Sequence, residues 1–363
     1  MSFEQKNRQK FALYLRKWYI CKVKETLSTI AERCGVSATT VSRVLSGHSD
    51  KFRIAEETAR RVFEDARSCG YYKGVLIPGR RSSSKTVGLL IPSLQNRYFS
   101  QLASSVISCM ESFGYSVIIM DTREDGAVFE DSVYRLLGRN VEGMIVAPCG
   151  DNSSTLKEIR SHGIPVVQID RHVESDFLPY VITNNYKAAY DSTALLISFG
   201  HRDIACISGF ASSPSADSIR GYRDAMIGEG LDRYISVTGN EFSVACGYTE
   251  TRLMLQRPRR PTAILSLSNN ITMGVLKALR ESELKIPEEI SLISFDSFDH
   301  MDYISPPLTR IAQPVEDMAQ IAVKILVREI EGGLSDTVSQ IKLSSSLVLA
   351  ESVKVLNPRQ HNL

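Results

Sequence analysis

Apolar residues recur at helical spacing over residues 27–45, which read LSTIAERCGVSATTVSRVL. Gly35 lies between two short apolar patterns, at a point where only glycine adopts a left-handed backbone at little cost. Ser37 follows it and offers a side-chain oxygen that can cap a second helix. The spacing predicts two short helices joined by a tight turn, with these residues on their buried faces: Ile30, Ala31, Val41, Val44 and Leu45.

A third helix is predicted over residues 56–68, with Val62, Phe63 and Ala66 facing inward. From Val87 the pattern changes to continuous apolar runs separated by helical stretches. Such runs are typical of parallel strands covered on both faces. The predicted strands are VGLLIP, YSVIIMD, GMIVAP and PVVQID, followed by a second set of DIACISG, TAILSLS and ISLISFD. The predicted helices lie near 99–113, 127–139, 153–162, 187–199, 217–229, 244–256 and 271–282.

Two sets of alternating strands and helices predict two α/β lobes behind an all-α, N-terminal helix-turn-helix headpiece. The predicted domains are a basic extension (1–24), a helix-turn-helix domain (25–72), a linker (73–86), a doubly wound core of two lobes (87–353) and a tail (354–363).

Charge is distributed unevenly between these regions, although the whole chain carries a formal net charge of only +2. Residues 1–86 contain 18 Lys and Arg against 8 Asp and Glu, whereas residues 87–363 contain 25 against 33. The basic excess therefore coincides with the helix-turn-helix pattern, as binding to a polyanion requires.

The first 24 residues carry an apolar stripe of Phe11, Tyr14, Leu15 and Trp18 among basic residues. This pattern predicts a basic amphipathic helix, which could pack on the headpiece, touch DNA phosphates or lie on a membrane surface. In the linker, Pro78 disfavours a regular helix. Arg80 and Arg81 would then belong to a flexible basic tether.

Several function classes find no support in the sequence. The sequence contains no run of about 18 apolar residues, so no membrane span is predicted. No secretion signal is apparent either, so a cytoplasmic location is expected. The seven cysteines are scattered without a CxxC pair, so we expect no disulfide framework, no metal site and no cofactor. Phosphate-loop, dinucleotide and nucleophile-elbow motifs are absent, so an enzyme is not predicted.

The outward face of the second helix favours contact with DNA. It is short and hydroxyl-rich, and Thr39, Thr40 and Arg43 lie on it with Ala38 and Ser42 beside them. Small residues allow close approach to a duplex, hydroxyls bind phosphates and Arg reads guanine edges. We therefore assign Thr26, Ser37, Thr40 and Ser42 to phosphates and Ala38, Thr39 and Arg43 to bases. Leu27 and Ser46 complete the predicted interface.

The phrase TIAERCGVSATTVSRVL resembles the headpiece of the lactose/galactose-repressor (LacI/GalR) family of transcription regulators, and the resemblance extends over about residues 26–353. It implies a core like that of periplasmic sugar-binding proteins, with a ligand in the cleft between two lobes. It also implies a homodimer, since two headpieces are needed to read a two-fold operator. In the family a hinge helix inserts a leucine into the minor groove, and Leu76 could have that role here.

The resemblance also implies cleft residues, which fall at predicted strand ends where ligands of α/β folds bind. Asn96 and Phe99 match the family's NxxF segment, Asp170 its IDR segment, Asn269 its cleft asparagine and Asp296 its last aspartate. Ser218 stands where the family has an arginine, and Arg220 is out of phase with that position.

These features predict a DNA-binding regulator whose operator affinity is controlled by a small effector such as a sugar. We expect this regulator to be a repressor. The alternatives are a sugar-binding receptor and a sugar-acting α/β enzyme, both without a DNA role.

Overall fold

The computed structural model describes residues 26–45, 49, 51–68, 71, 83–175, 177–297, 301, 303–335 and 337–356. They form two compact units. The first contains the residues up to Ser84 together with 133–141, and the second contains 85–132 and the residues from Glu142 onward.

The first unit contains three helices near the N-terminus: α1 (Leu27–Cys34), α2 (Ala38–Leu45) and α3 (Glu56–Ser68). Helix α1 packs against both α2 and α3. Gly35 ends α1 in the left-handed region at a φ of 62°, as predicted. The three helices enclose a small apolar core of Ile30, Ala31, Cys34, Val41, Val44, Val62 and Ala66.

The second unit contains two six-stranded sheets, each covered by helices. The elements that precede the first crossing of the chain between the two sheets are β1 (Thr86–Ile91), α4 (Arg97–Ser112), β2 (Ser116–Asp121), α5 (Gly126–Gly138), β3 (Met144–Val146), α6 (Ser153–Ser161), β4 (Val166–Ile169) and β5 (Tyr180–Thr183). Residues 133–138 of α5 belong to the first unit. The elements that follow this crossing are α7 (Asn185–Ser198), β6 (Ile204–Ile207), α8 (Ser213–Gly228), β7 (Ser236–Thr238), α9 (Val244–Leu255), β8 (Ala263–Ser266), α10 (Asn269–Glu281), β9 (Ser291–Phe295), β10 (Thr309–Ala312), α11 (Val315–Gly332), β11 (Gln340–Leu343) and β12 (Ser346–Val348), with a short 3-10 helix at Asp232–Tyr234.

Strand order defines the two lobes. The first lobe contains the sheet β11-β5-β4-β3-β1-β2, and the second lobe contains β12-β10-β9-β8-β6-β7. Every pairing is parallel except that of β10 with β12. In the second lobe, Ile204 and Cys206 join one apolar cluster while Ala205 and Ile207 join another, because alternate residues point to opposite faces. Both sheet faces are therefore buried, as the continuous apolar runs predicted.

The chain crosses between the lobes three times, at residues 183–185, 312–315 and 343–346. Hydrogen bonds join these segments. The Thr183 hydroxyl donates to Oε1 of Gln313 at 2.6 Å, and the backbone N–H of Asn184 donates to the carbonyl of Leu343 at 2.8 Å. The three crossing segments are thus hydrogen-bonded to one another.

The predicted fold class is confirmed, and so are the three helices of the first unit and the seven named strands. The sequence reading missed β5, β7, β10, β11, β12 and the long helix α11. It also began α8 too late, because Ser212–Pro214 reads as a loop. In the structure the Ser212 side chain caps α8 and Pro214 lies in its first turn. Within the described residues, no helix has the length and apolarity needed to cross a membrane.

Candidate nucleic-acid interface and ligand cleft

Helix α2 is held at its N-terminus by Ser37. Its side-chain oxygen accepts from the backbone N–H of Thr40 at 3.0 Å, and its carbonyl accepts from Val41 at 3.0 Å. Thr26 caps α1 in the same way and forms a reciprocal pair with Thr29. Thr26 and Ser37, which are predicted to contact DNA, therefore also fix the starts of α1 and α2, respectively.

The two faces of α2 differ sharply in exposure. Val41 and Val44 are fully buried, whereas Thr39 is exposed. Thr26 and Ser37 are also exposed. The remaining described members of the predicted interface are half-buried: Leu27, Ala38, Thr40, Ser42 and Arg43. The segment lies with its apolar side inward and its hydroxyl-rich side outward, which leaves that side free for a partner.

Arg43 has a neighbour that the sequence reading missed. Its guanidinium carbon lies 3.8 Å from the centroid of the Phe52 ring, and Phe52 itself remains 42% exposed. Stacking on an aromatic face restrains the guanidinium while leaving its edge available for hydrogen bonds. The signal was the single aromatic residue in the segment before α3. Four of the predicted contacts, Ser46, Leu76, Arg80 and Arg81, and the extension 1–24 lie outside the described residues.

A cavity of about 50 Å³ lies between the two lobes of the second unit. Five predicted ligand residues line it: Asn96, Phe99, Asp170, Ser218 and Asp296. The structure adds lining residues that were not assigned from sequence: Tyr98, Arg171, Asn185, Ser212, Pro214, Ser215, Phe242, Leu267, Ser268, Phe295 and Gln313. Most of these follow strands or begin helices, so only the assembled fold brings them together.

Asn269, the sixth predicted ligand residue, forms hydrogen bonds within the protein through both ends of its side-chain amide. Its Nδ2 donates to Oδ1 of Asn96 at 3.1 Å, and its Oδ1 accepts from the backbone N–H of Asn270 at 2.6 Å. Because Asn96 belongs to the first lobe and Asn269 to the second, this bond joins the lobes. A second bond between lobes runs from the His172 backbone N–H to the Ser213 hydroxyl at 3.1 Å.

Asp170 follows β4 and is 7% exposed. One of its oxygens accepts from the Tyr98 hydroxyl at 2.8 Å, and the other lies 3.7 Å from Nε of Arg171. Burial raises its pKa to about 6, and the nearby Asp296 and Glu124 charges act in the same direction, against the Arg171 charge and the Tyr98 hydrogen bond. Burial also raises the pKa of Tyr98.

Asp296 occupies the equivalent position after β9 in the second lobe. Its oxygens accept from Nε2 of Gln313 at 2.7 Å and from the backbone N–H of Asn269 at 3.2 Å. Burial raises the pKa of this carboxyl as well, against the two hydrogen bonds. Asp170 and Asp296 both adopt left-handed φ angles, 63° and 71°. Such angles are uncommon outside glycine and are most tolerable for Asp and Asn.

Among the described residues that line this cavity, Arg171 carries the positive charge. Its two terminal nitrogens donate to the two oxygens of Glu124 at 2.6 and 3.0 Å. The guanidinium also lies 5.4, 5.2 and 5.8 Å from the ring centroids of Phe99, Phe210 and Phe242. The aromatic rings and the bidentate ion pair fix the position of this side chain.

Ser218 lies on α8 and contributes a small hydroxyl to the cavity wall. Arg220 is directed elsewhere, as its helical phase predicted. Its side chain is 60% exposed and pairs with Asp217 at 2.8 Å. The cleft therefore gains no second arginine from this helix.

A capped helix-turn-helix unit attached to a two-lobed α/β unit with a polar cavity between the lobes defines a DNA-binding transcription regulator. Residues 26–73 match the bacterial regulatory proteins of the lacI family, and residues 193–353 match a periplasmic binding protein-like domain. The HTH-type transcriptional repressor PurR of Vibrio campbellii is 30% identical over 92% of this chain and 99% of its own. The chain belongs to the lacI family.

Other relatives are similar over nearly their full length. The ribose operon repressor of Escherichia coli K12 is 29% identical, over 90% of this chain and 98% of its own. The solved complex of the transcriptional regulator CelR with cellobiose is 25% identical with a TM-score of 0.68, over 90% of this chain and 99% of the other. These relatives are transcription regulators, and the chain is a regulator of the same family and not an enzyme.

Proposed function

We propose that this protein is a repressor that binds operator DNA through α2. Its affinity for the operator changes when an effector occupies the interlobe cavity. The observation that carries the DNA-binding part is the orientation of α2. Its Ser37-capped end and its Thr39 side face outward, while Val41 and Val44 are fully buried. A helix held in this way can enter the major groove without disturbing the small core behind it.

The roles of single residues follow from their placement. Thr26 and Ser37 lie at helix N-termini, where hydroxyls and backbone N–H groups together favour phosphate oxygens. Thr40 and Ser42 provide further hydroxyls, and Leu27 lies beside Thr26. Ala38, Thr39 and Arg43 face the base edges, where Arg43 can donate two hydrogen bonds to one guanine.

The effector is a hydroxyl-bearing molecule of the sugar class. Asp170 and Asp296 offer carboxylate oxygens, Ser218 offers a hydroxyl, and Phe99 offers an apolar ring face. Two relatives support this class by name: the ribose operon repressor, and CelR with its bound cellobiose. Asn96 and Asn269 join the lobes over the cavity, so they respond to its occupant through the closure of the lobes.

A homodimer in the cytoplasm is the form in which this activity is expected. One headpiece reads a half-site, and a second copy related by two-fold symmetry reads the other half. Leu76, Arg80 and Arg81 of the linker and Ser46 are proposed to contact DNA next to the half-site.

The test is selection of binding sequences from a random duplex library with the purified full chain. We expect enrichment of a palindrome whose half-sites are bound by α2, since two copies must bind together. Thr39→Glu should abolish enrichment because it places a negative charge on the base-facing surface, whereas Glu229→Gln on the surface of the second lobe should leave it intact. Recovery of no common sequence by the wild type would contradict the proposal.

A further inference from the structure

The cavity between the lobes carries an excess of buried negative charge. Asp170 and Asp296 both line it and are 7% and 6% exposed. Asp296 has only neutral hydrogen-bond donors, the amide of Gln313 and the backbone N–H of Asn269. Its charge is therefore stabilised by dipoles but is not compensated by a cation within hydrogen-bond distance.

The charge of Arg171 is already committed. Glu124 accepts from both terminal nitrogens at 2.6 and 3.0 Å, and the remaining Nε lies 3.7 Å from Asp170. One guanidinium thus pairs with two carboxylates, those of Glu124 and Asp170, while Asp296 is hydrogen-bonded only to neutral donors. With all four groups ionised, the lining and its immediate support carry a net charge of −2.

A neighbouring cavity also has more acidic than basic residues in its wall. This larger cavity, of about 370 Å³, shares Arg171 and Ser212 with the inner one, and Asp151 and Glu174 lie in its wall. His172 also lies there, and burial lowers its pKa, with the Lys342 charge acting in the same direction. Nothing in this wall except Arg171 offers a full positive charge among the residues that the structure describes.

The negative charges around the cavity affect which ligands can bind there. An anionic group would add a further buried negative charge next to carboxylates that are already poorly solvated, which is costly. A protonated amine would instead neutralise one of them and gain a charge-assisted hydrogen bond. The neighbouring hydroxyls of Ser215 and Ser218 suit a ligand that also carries hydroxyl groups.

We propose that the effector is a cationic polyhydroxylated molecule, such as an amino sugar, whose ammonium group pairs with Asp170. This inference rests on the proposed function in one respect only, that the interlobe cavity is the effector site. It narrows the effector from sugars in general to those that carry an amine and excludes sugar phosphates and sugar acids.

The test compares polyhydroxylated ligands of similar skeleton that carry a positive, neutral or negative group. The purified full chain is heated at pH 7 and constant ionic strength with D-glucosamine, D-glucose or D-glucose 6-phosphate. A second set pairs tris(hydroxymethyl)aminomethane with its neutral isostere 1,1,1-tris(hydroxymethyl)ethane. We expect the amines to raise the unfolding midpoint by about 2–4 °C at saturating concentration, with smaller shifts for the neutral members and none for the phosphate.

Two variants separate binding in the cavity from general charge effects. Asp170→Asn should remove the amine-specific shift, and asparagine tolerates the left-handed backbone at this position. Glu229→Gln removes an exposed carboxylate from the second lobe and should keep the shift. Equal shifts across the set, no shift at all, or a larger shift with the phosphate would overturn the proposal.

Failure of the proposed function would look different. Loss of palindrome enrichment with retention of the amine shift would reject the repressor but keep the amine site. If the chain enriches a palindrome but D-glucose 6-phosphate raises its unfolding midpoint most, the amine site alone is rejected.

Discussion

At the scale of single residues, the proposed function makes Arg43 the side chain expected to distinguish DNA sequences. It lies on the outward side of α2, and the Phe52 ring 3.8 Å from its guanidinium carbon limits the positions that the charge can take. An arginine restrained before binding loses less conformational freedom when it meets a guanine edge.

Arg43→Ala is expected to lower affinity for the selected operator by about 1–3 kcal/mol and to relax specificity at one base pair of each half-site. Fluorescence anisotropy on single-base operator variants measures both effects. Arg43→Lys keeps the charge but loses the planar fork, so it should restore general affinity more than specificity. An Arg43→Ala protein that discriminates operators as well as wild type would remove Arg43 from the base-contacting set.

Asp170 gives the cleft a dependence on pH. Its pKa is raised from an ordinary 3.8 to about 6 by burial, with Arg171, Tyr98, Asp296 and Glu124 as the charged and titratable neighbours. The folded state therefore binds this proton more tightly than the unfolded state does. The resulting stabilisation is complete below about pH 4 and is lost as pH rises through about 6.

The unfolding midpoint of wild type should therefore fall relative to that of Asp170→Asn as pH rises from 4 to 7. Taking the difference between the two proteins cancels the contribution of groups that both retain. Thermal unfolding at half-unit pH steps measures it. A difference that stays constant over this range would show that Asp170 keeps an ordinary pKa in the folded chain.

Sequence reasoning located many polar residues of the cavity but not their roles. Asp170 and Asp296 were assigned because they match segments of the lacI family, and both follow apolar strands, whose ends in an α/β fold meet at one edge. Asn269 was also found, yet its side chain bonds to Asn96 and Asn270 rather than lining the cavity. Arg171 was not assigned, because only the fold shows that Glu124 and three aromatic rings surround it.

At the scale of elements, the second lobe depends on the close approach of α7 and α8. A Cβ atom added at Gly221 would lie 2.2 Å from the backbone oxygen of Tyr186, so no larger residue fits without separating the helices. Gly228, the last residue of α8, has open space around the same position. The two glycines of one helix thus make a matched pair.

Gly221→Ala is expected to reduce the free energy of unfolding by about 1–3 kcal/mol because it overpacks this contact. Gly228→Ala should leave stability unchanged or raise it by up to about 1 kcal/mol, since alanine has the higher helix propensity. Urea unfolding followed by circular dichroism measures both. Equal effects of the two substitutions would mean that α7 and α8 do not pack as described.

Elements with a strong local signal were predictable, and elements defined by distant partners were not. Helices α1 and α2 begin with side-chain caps, α1 ends at a left-handed glycine, and all three N-terminal helices have a clear apolar face. Helix α11 and strand β11 lie in the first lobe although the preceding strand β10 lies in the second. No local pattern encodes that return, which depends on the three crossings between the lobes.

At the scale of the whole molecule, the proposed dimer needs a surface. Val244 on α9 and Met273 on α10 are 44% and 40% exposed, and they lie on two helices in close contact. The carbonyl of Val244 would be 2.2 Å from a Cβ atom at Gly274, the residue after Met273. Exposed apolar side chains on two packed helices are of the kind that interfaces bury, so we place the proposed dimer contact here.

Met273→Asp is expected to convert a dimer of the 40.4 kDa chain into monomers and to weaken operator binding with it. Ile227→Asp changes an equally apolar residue on α8, 55% exposed, and should leave the dimer intact. Sedimentation velocity measures the mass of each protein. A wild-type chain that sediments as a monomer, or a Met273→Asp protein that remains dimeric, would contradict this placement of the interface.

Recognition of a specific duplex by the outward side of α2 is tested most directly by one comparison of affinities. The affinity of the full chain is measured for the selected palindrome and for a scrambled duplex of the same length and composition. We predict a ratio of about 10³ or more near physiological salt, with affinity for both duplexes falling steeply as salt rises. A ratio near one at every salt concentration would show that the protein recognises no sequence.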